Sequence, residues 1–131
     1  MTIATRRARD FGLACGDLPK GPRNSIVDVP GVRVGHVTLV EGETRTGVTA
    51  ILPHGEDLFR WKAPAACCVI NGFGKSVGLM QVEELGAVET PILLTNTFAV
   101  PACARALIDL AIEANPAIGR ATSTVNPVVL E

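Results

Sequence analysis

The chain lacks most of what marks a charge-driven or metal-driven function. Its 12 basic residues nearly balance its 13 acidic ones, so no bulk field draws it to nucleic acid or to an anionic membrane. The one basic cluster, Arg6, Arg7 and Arg9, is short and near a terminus, and reads as a solvated tail. The four cysteines, Cys15, Cys67, Cys68 and Cys103, form no CxxC pair and no Cys/His ligand spacing, which argues against a metal site and against a disulfide framework. Reduced thiols suit a cytoplasmic protein. The opening MTIATRRARD has no apolar core of the kind a secretory signal needs. No apolar run reaches membrane-spanning length, and no repeat or low-complexity tract is visible.

What the chain does have is apolar residues. At 131 residues it is 47% hydrophobic and only 19% charged, which is rich for one ordinary domain. Either the core is large, or apolar surface is covered by another chain or by further polypeptide. Residues 1–24 are polar and turn-rich and read as an irregular arm. Val32 to Val40 is β-branched and alternating, and Gly47 to Leu52 follows a turn at Gly42 to Arg45, so the two strands predict a hairpin. Pro53 to Lys62 reads as loop, with Phe59 and Trp61 as packing or pocket residues. Ala65 to Ile70 (AACCVI) is a continuous apolar run, the pattern of a strand buried on both faces. Asn71-Gly72-Phe73-Gly74 ends it with glycines free to take positive φ.

Leu79 to Leu85 predicts a short helix stopped by Gly86, and Pro91 to Leu94 another strand. The clearest helix is Ala102 to Ala114, where Cys103, Ala106, Leu107, Leu110, Ala111 and Ala114 make one apolar stripe. Asn115-Pro116 ends it. Val128-Val129-Leu130 begins a strand that Glu131 cuts short, an expectation that the natural protein continues. Strands dominate the first half and alternate with helices in the second, so the expected class is α/β or α+β with a mixed sheet.

Several motifs fail on inspection. Gly74-Lys75-Ser76 invites a phosphate loop, but Val69 occupies the position of the required first glycine. Val77 stands where a dinucleotide fingerprint needs its third glycine. His36 and His54 have no Ser–Asp partners in sequence to suggest a triad. Glu83-Glu84 reads either as a solvated helix face or as a carboxylate for a substrate amine. Thr95-Asn96-Thr97 reads either as a turn capping a strand or as a polar group for an oxyanion or an amine.

The stretches Arg7 to Gly12, Asn24 to His36 (NSIVDVPGVRVGH), Thr46 to Thr49, Asn71 to Lys75 (NGFGK), Glu83 to Gly86 (EELG), Glu89 to Ile92 (ETPI), Thr95 to Thr97 (TNT) and Val125 to Val129 (VNPVV), taken in order, resemble the DmpA-type aminopeptidases. These are the L-aminopeptidase/D-esterases, which include the β-peptidyl aminopeptidases. The similarity runs from about Arg6 to the last residue.

The resemblance implies a four-layer αββα sandwich like that of N-terminal-nucleophile hydrolases. Residues 1–24 would be an arm, and residues 25–131 an incomplete N-terminal portion of a single catalytic domain. It implies a precursor that cuts itself into α and β chains, the freed terminal Ser or Thr of the β chain being the nucleophile. That nucleophile lies beyond residue 131, so no catalytic residue is expected in this chain, and the chain alone should be inactive. The oxyanion Asn is likewise expected just after Glu131. Matched positions near the substrate are Glu84, with Glu83 as second choice, then Asn71 and Asn96. Leu85 stands where some members carry an aromatic residue. The implied partners are the protein's own β chain, a small peptide, amide or ester substrate, and further copies of the αβ unit, with no cofactor, metal, nucleic acid or membrane. The competing readings are a non-catalytic assembly subunit of the same fold and a pantetheine-type amidase.

Overall fold

The computed structural model describes residues 6, 8–14 and 16–131. Residues 1–5, Arg7 of the basic cluster and Cys15 lie outside the described residues. Within the arm, the described segments are exposed and carry one short 3-10 turn, Ala8–Phe11.

Strands β1 (Arg33–Glu41) and β2 (Thr44–Leu52) form the expected antiparallel hairpin across Gly42-Glu43. β2 starts three residues earlier than its apolar run, because ladder pairing carries Thr44, Arg45 and Thr46 along with it. Two two-residue strands, β3 (Ala63–Pro64) and β4 (Ala87–Val88), pair antiparallel and enclose helix α1 (Leu79–Leu85) between them in sequence. Strand β5 (Ile92–Leu94) lies antiparallel to β2 and parallel to β6 (Val128–Leu130), giving the sheet order β1-β2-β5-β6. A parallel neighbour cannot be reached by a tight turn. Helix α2 (Val100–Ala114) makes that crossover.

Strand periodicity divides the core. Val129 and Leu93 face α2 and pack with its Val100, Cys103, Ala104 and Leu107. Val128, Ile92 and Leu130 face the other way, toward Leu58, Ala63, Val82 of α1 and Val88 of β4. β6 is thus apolar throughout because it is covered on both faces. The class is α+β with a mixed sheet.

Three sequence expectations change. The stripe of α2 is shifted one turn toward its start: Val100 and Ala104 are buried with Cys103 and Leu107, while Ala106 and Ala114 are exposed and Leu110 is 55% exposed. The sheet meets only the first two turns of the helix. Residues 65–70 form no strand, and far from being buried on both faces, Val69 and Ile70 are 62% and 97% exposed. Only Ala65 and Cys67 pack on the core, since no described strand lies alongside to pair with the rest. In the loop that follows, Gly72 and Gly74 do not take positive φ. It turns instead on the Asn71 side chain, whose Oδ1 accepts from Phe73 N at 2.9 Å.

Two polar contacts fix the joints. Glu89, only 5% exposed, accepts from Asn126 N (2.6 Å) and Gln81 Nε2 (3.2 Å) and pairs with Lys62 Nζ (3.0 Å). At the far end of α2, buried Asn115 donates to Asp57 Oδ2 (2.8 Å) and accepts from Arg60 Nε (2.8 Å). The Asn115 amide, with the backbone N–H groups of Phe59 and Arg60 and the Arg60 charge, holds the Asp57 carboxyl below the usual aspartate range against the opposing effect of burial.

A depressed carboxylate stabilises the fold fully above its unfolded pKa and loses that contribution as pH falls through its folded value. Asn115→Ala should therefore cost about 1–3 kcal/mol at neutral pH, and the cost should shrink toward about pH 3, where Asp57 is protonated in the unfolded chain anyway. Urea unfolding at both pH values checks this, and an unchanged cost at low pH contradicts it. Gly78 sits at φ +91°, and a Cβ there would lie 2.2 Å from the Pro127 carbonyl oxygen. Gly78→Ala should cost at least about 2 kcal/mol, by left-handed strain together with overpacking; a loss below about 0.5 kcal/mol in the same assay would contradict that close approach.

Candidate functional site

The polar stretches that stand out in the sequence meet at one side chain, Glu131. The loop Asn71 to Lys75 delivers Lys75 N to Glu131 Oε2 at 2.7 Å. The Thr95-Asn96-Thr97 segment delivers the Thr97 hydroxyl, which donates to Glu131 Oε1. β6 brings Glu131 between them and is gripped on both edges. Val77 and Val129 exchange backbone hydrogen bonds of 2.9 and 3.2 Å on one side, and Thr95 N donates to Leu130 O at 3.0 Å on the other. The Thr97 hydroxyl, then the Lys75 N–H, and then the Lys75 charge hold the Glu131 carboxyl below the usual glutamate range. It is an anion at neutral pH.

Each loop has its own local cause. Asn96 caps the 3-10 turn Thr97–Ala99 that leads into α2, its Oδ1 accepting from Phe98 N (3.1 Å) and Ala99 N (3.2 Å). This satisfies amide donors that a helix start leaves open. Its amide nitrogen donates to Thr46 Oγ1 on β2, and Thr95 Oγ1 donates to Gly47 O at 3.0 Å. The turn is therefore bolted to the hairpin. Lys75 Nζ folds back onto the Phe73 carbonyl and over the Phe73 ring, 4.3 Å from its centroid.

Beside Glu131 lies a cleft of about 450 Å³. One wall is the extended segment from Ala65 to Asn71, another is Leu79 and Val82 of α1, and the floor is Ile92, Val128 and Leu130 of the sheet. Its polar lining is Asn71, Ser76 and Glu131, apart from the thiols of Cys67 and Cys68.

Of the residues picked out in sequence, Asn71 lines the cleft. Asn96 lies outside the lining but adjoins Thr97, which holds Glu131. Glu83 and Glu84 are exposed on α1 and are not among the lining residues. The acid that does line the cleft, Glu131, escaped the sequence reading because it follows the β6 run as the last residue. A lone carboxylate at the end of a doubly buried strand was the available signal. Glu89 was quoted only as part of a motif, and its burial had no signature in the pattern.

The family model for peptidase family S58 matches residues 24–131. A β-peptidyl aminopeptidase, BapA, of Sphingosinicella microcystinivorans is 40% identical over 103 residues, covering 72% of this chain and 26% of that protein. The PH0078 protein of Pyrococcus horikoshii superposes with a TM-score of 0.88 at 46% identity, over 96% of this chain and 38% of that one. The L-aminopeptidase D-Ala-esterase/amidase of Ochrobactrum anthropi, described as a new variant among the Ntn hydrolase fold, gives 0.76 at 33% identity over 95% and 37%. The chain thus spans about a quarter of the length of the curated relative and somewhat over a third of the solved chains. On the match over residues 24–131 and these likenesses, the chain belongs to peptidase family S58, the DmpA-like aminopeptidases that its motifs resemble.

Proposed function

We propose that this chain is the N-terminal, α-chain portion of a self-processing serine aminopeptidase that releases N-terminal residues from short peptides, amides or esters. The observation that carries the reading is the ionised Glu131 carboxylate, fixed by Thr97 and Lys75 at the mouth of a largely apolar cleft. A fixed anion beside apolar walls suits the ammonium of a free amino terminus, since the pair is strengthened where water is thinned. The family membership and the activities named for its relatives support the reaction class.

In this reading Glu131 holds the substrate amine, and the Asn71 carboxamide, already oriented by Phe73 N, lines the approach. Glu84 and then Glu83 stand as the second candidates for the amine. The attacking Ser or Thr hydroxyl comes from the protein's own β chain, outside these 131 residues. It adds to the scissile carbonyl, the amine leaves as the acyl-enzyme forms, and water completes hydrolysis. Asn96 acts at a distance, by setting the turn that carries Thr97. The αβ units assemble further in the cytoplasm. Among the described residues no helix is long and apolar enough to cross a membrane.

The test uses the complete protein. Glu131→Gln should lower kcat/KM for aminoacyl nitroanilides by roughly 10- to 100-fold, the effect of losing a charge-assisted hydrogen bond, with N-acetylated analogues unaffected. Glu84→Gln should change neither by more than about twofold, the scale of an exposed charge. If Glu84→Gln instead erodes the preference for a free amine while Glu131→Gln preserves it, the anchor is on α1. The 131-residue chain alone should turn over none of these substrates, and turnover by the pure chain would overturn the assignment of the nucleophile to other polypeptide.

A further inference from the structure

We infer that the N-terminal arm is a hook for a second copy of the protein, its hollow receiving the tip of that copy's β1–β2 hairpin. The inference rests on the reading that αβ units assemble and names the contact. It does not depend on the reaction carried out at the cleft.

Residues 8–28 curl around a hollow of about 660 Å³, and its lining comes from that stretch alone. The Arg9 guanidinium closes the curl by donating to Arg23 O at 3.4 Å. Asp28 fixes the far end by accepting from Arg23 N (3.1 Å) and Ser25 N (3.2 Å). With Asp28 committed to the backbone, Arg9 and Lys20 set the charge of the lining. Its apolar side chains are Leu13, Leu18 and Ile26, of which Leu18 is 88% exposed. Every described residue from Arg6 to Ile26 is exposed. Yet the superposition on PH0078 covers 96% of the chain and so reaches into the arm, well before the family match begins at residue 24. A defined path with no core of its own needs cover from outside.

The hairpin tip matches that hollow. Leu39 and Val40 are exposed there, beside Glu41 and Glu43, and the ion pairs among the described residues involve neither acid. Arg45, the cation next to them, donates to Gly42 O (2.6 Å) and Thr44 O (2.8 Å) and is held by the tip's own carbonyls. Two apolar side chains and two carboxylates thus meet apolar walls that carry Arg9 and Lys20, an opposite-charge fit that sets register and speeds encounter. Within one copy the two parts lie apart. β1 runs roughly 27 Å from Arg33, where the arm joins it, to Glu41. The joint sits at the other end of the hairpin, where a Cβ on Gly31 would lie 4.0 Å from His54 Cα. No residue of the tip lines the hollow. Reciprocal exchange of hooks about a two-fold axis satisfies both copies with one kind of contact.

The experiment uses the complete, processed protein. Sedimentation velocity should show a pair of αβ units or a multiple of it. Leu18→Asp and Val40→Asp should each raise the dissociation constant by about tenfold or more, by taking an apolar contact out of the interface. Both side chains are exposed in the single copy, so its own folding loses little. Glu41→Lys with Glu43→Lys should also weaken assembly, more at low salt than at high, and adding Lys20→Glu should recover about threefold. Leu18→Cys and Val40→Cys, placed on separate chains in a Cys15→Ser, Cys68→Ser background and co-expressed, should be joined by a short bismaleimide. Mass spectrometry then finds a peptide pair linking positions 18 and 40, a link that arises only between copies. A lone αβ unit in sedimentation overturns the assembly reading and the hook with it. An assembly indifferent to Leu18→Asp and Val40→Asp, with no link between positions 18 and 40, overturns the hook alone. If Leu18→Asp instead releases the β chain from the α chain, the occupant is the protein's own downstream polypeptide and the second-copy assignment is wrong.

Discussion

Glu89 accepts from the Asn126 backbone and the Gln81 amide and pairs with Lys62, almost out of reach of water. These partners come from the loop before β3, from α1 and from the approach to β6. Next to it, Thr90 accepts from Val128 N at 3.2 Å and donates to Pro91 O at 2.9 Å. Together the pair sets where β6 enters the sheet, and Glu131 follows directly on β6. A carboxylate at this depth is tolerable only while every partner is in place, because an unpaired buried charge costs far more than an exposed one. That constraint makes the joint rigid, and the position of the second carboxylate, five residues past Asn126, inherits the rigidity.

The two acids divide the work by environment. Glu89 is enclosed and fully engaged in holding the chain to itself. Glu131 is exposed and receives two short contacts that orient it without covering it. One is a backbone amide from the Asn71–Lys75 loop and the other a hydroxyl at the start of α2. The site is thereby coupled to the hairpin through Asn96 and Thr46, and to the crossover helix through the same capped turn. Under the reading proposed above, this orientation by neighbours that are themselves hydrogen-bonded would hold a ligand in a single pose.

Much of this was legible in the sequence wherever the information is local. The hairpin, α1 with its terminal Gly86, the end of α2 at Asn115 and the start of β6 follow from alternation, capping and breaker chemistry in short windows. Two of the quoted motifs, Asn71 to Lys75 and Thr95 to Thr97, are the loops that hydrogen-bond Glu131. What they did not reveal is that these two loops meet at Glu131. Glu83-Glu84, the pair singled out in one dimension, lies on the exposed surface of α1. Glu131 looks like an afterthought, yet both loops turn toward it. That distinction is made by a parallel strand pairing across more than thirty residues, between Ile92 and Val128, and no local pattern encodes such a contact. Burial of residues 65–70 was misjudged for a related reason: an apolar run shows that cover is required and not where it comes from.

The segment Ala65 to Ile70 therefore has a second consequence, for the making of the protein. It is six residues long, carries no charge and no proline, is tied to the fold by the Ala65 N–H donating to Gly86 O at 2.9 Å, and shows the side chains of Val69 and Ile70 to solvent. Such segments template one another between molecules and build cross-β stacks. In these 131 residues Val69 and Ile70 have no cover, so the isolated chain is expected to associate through this segment more readily as its concentration rises.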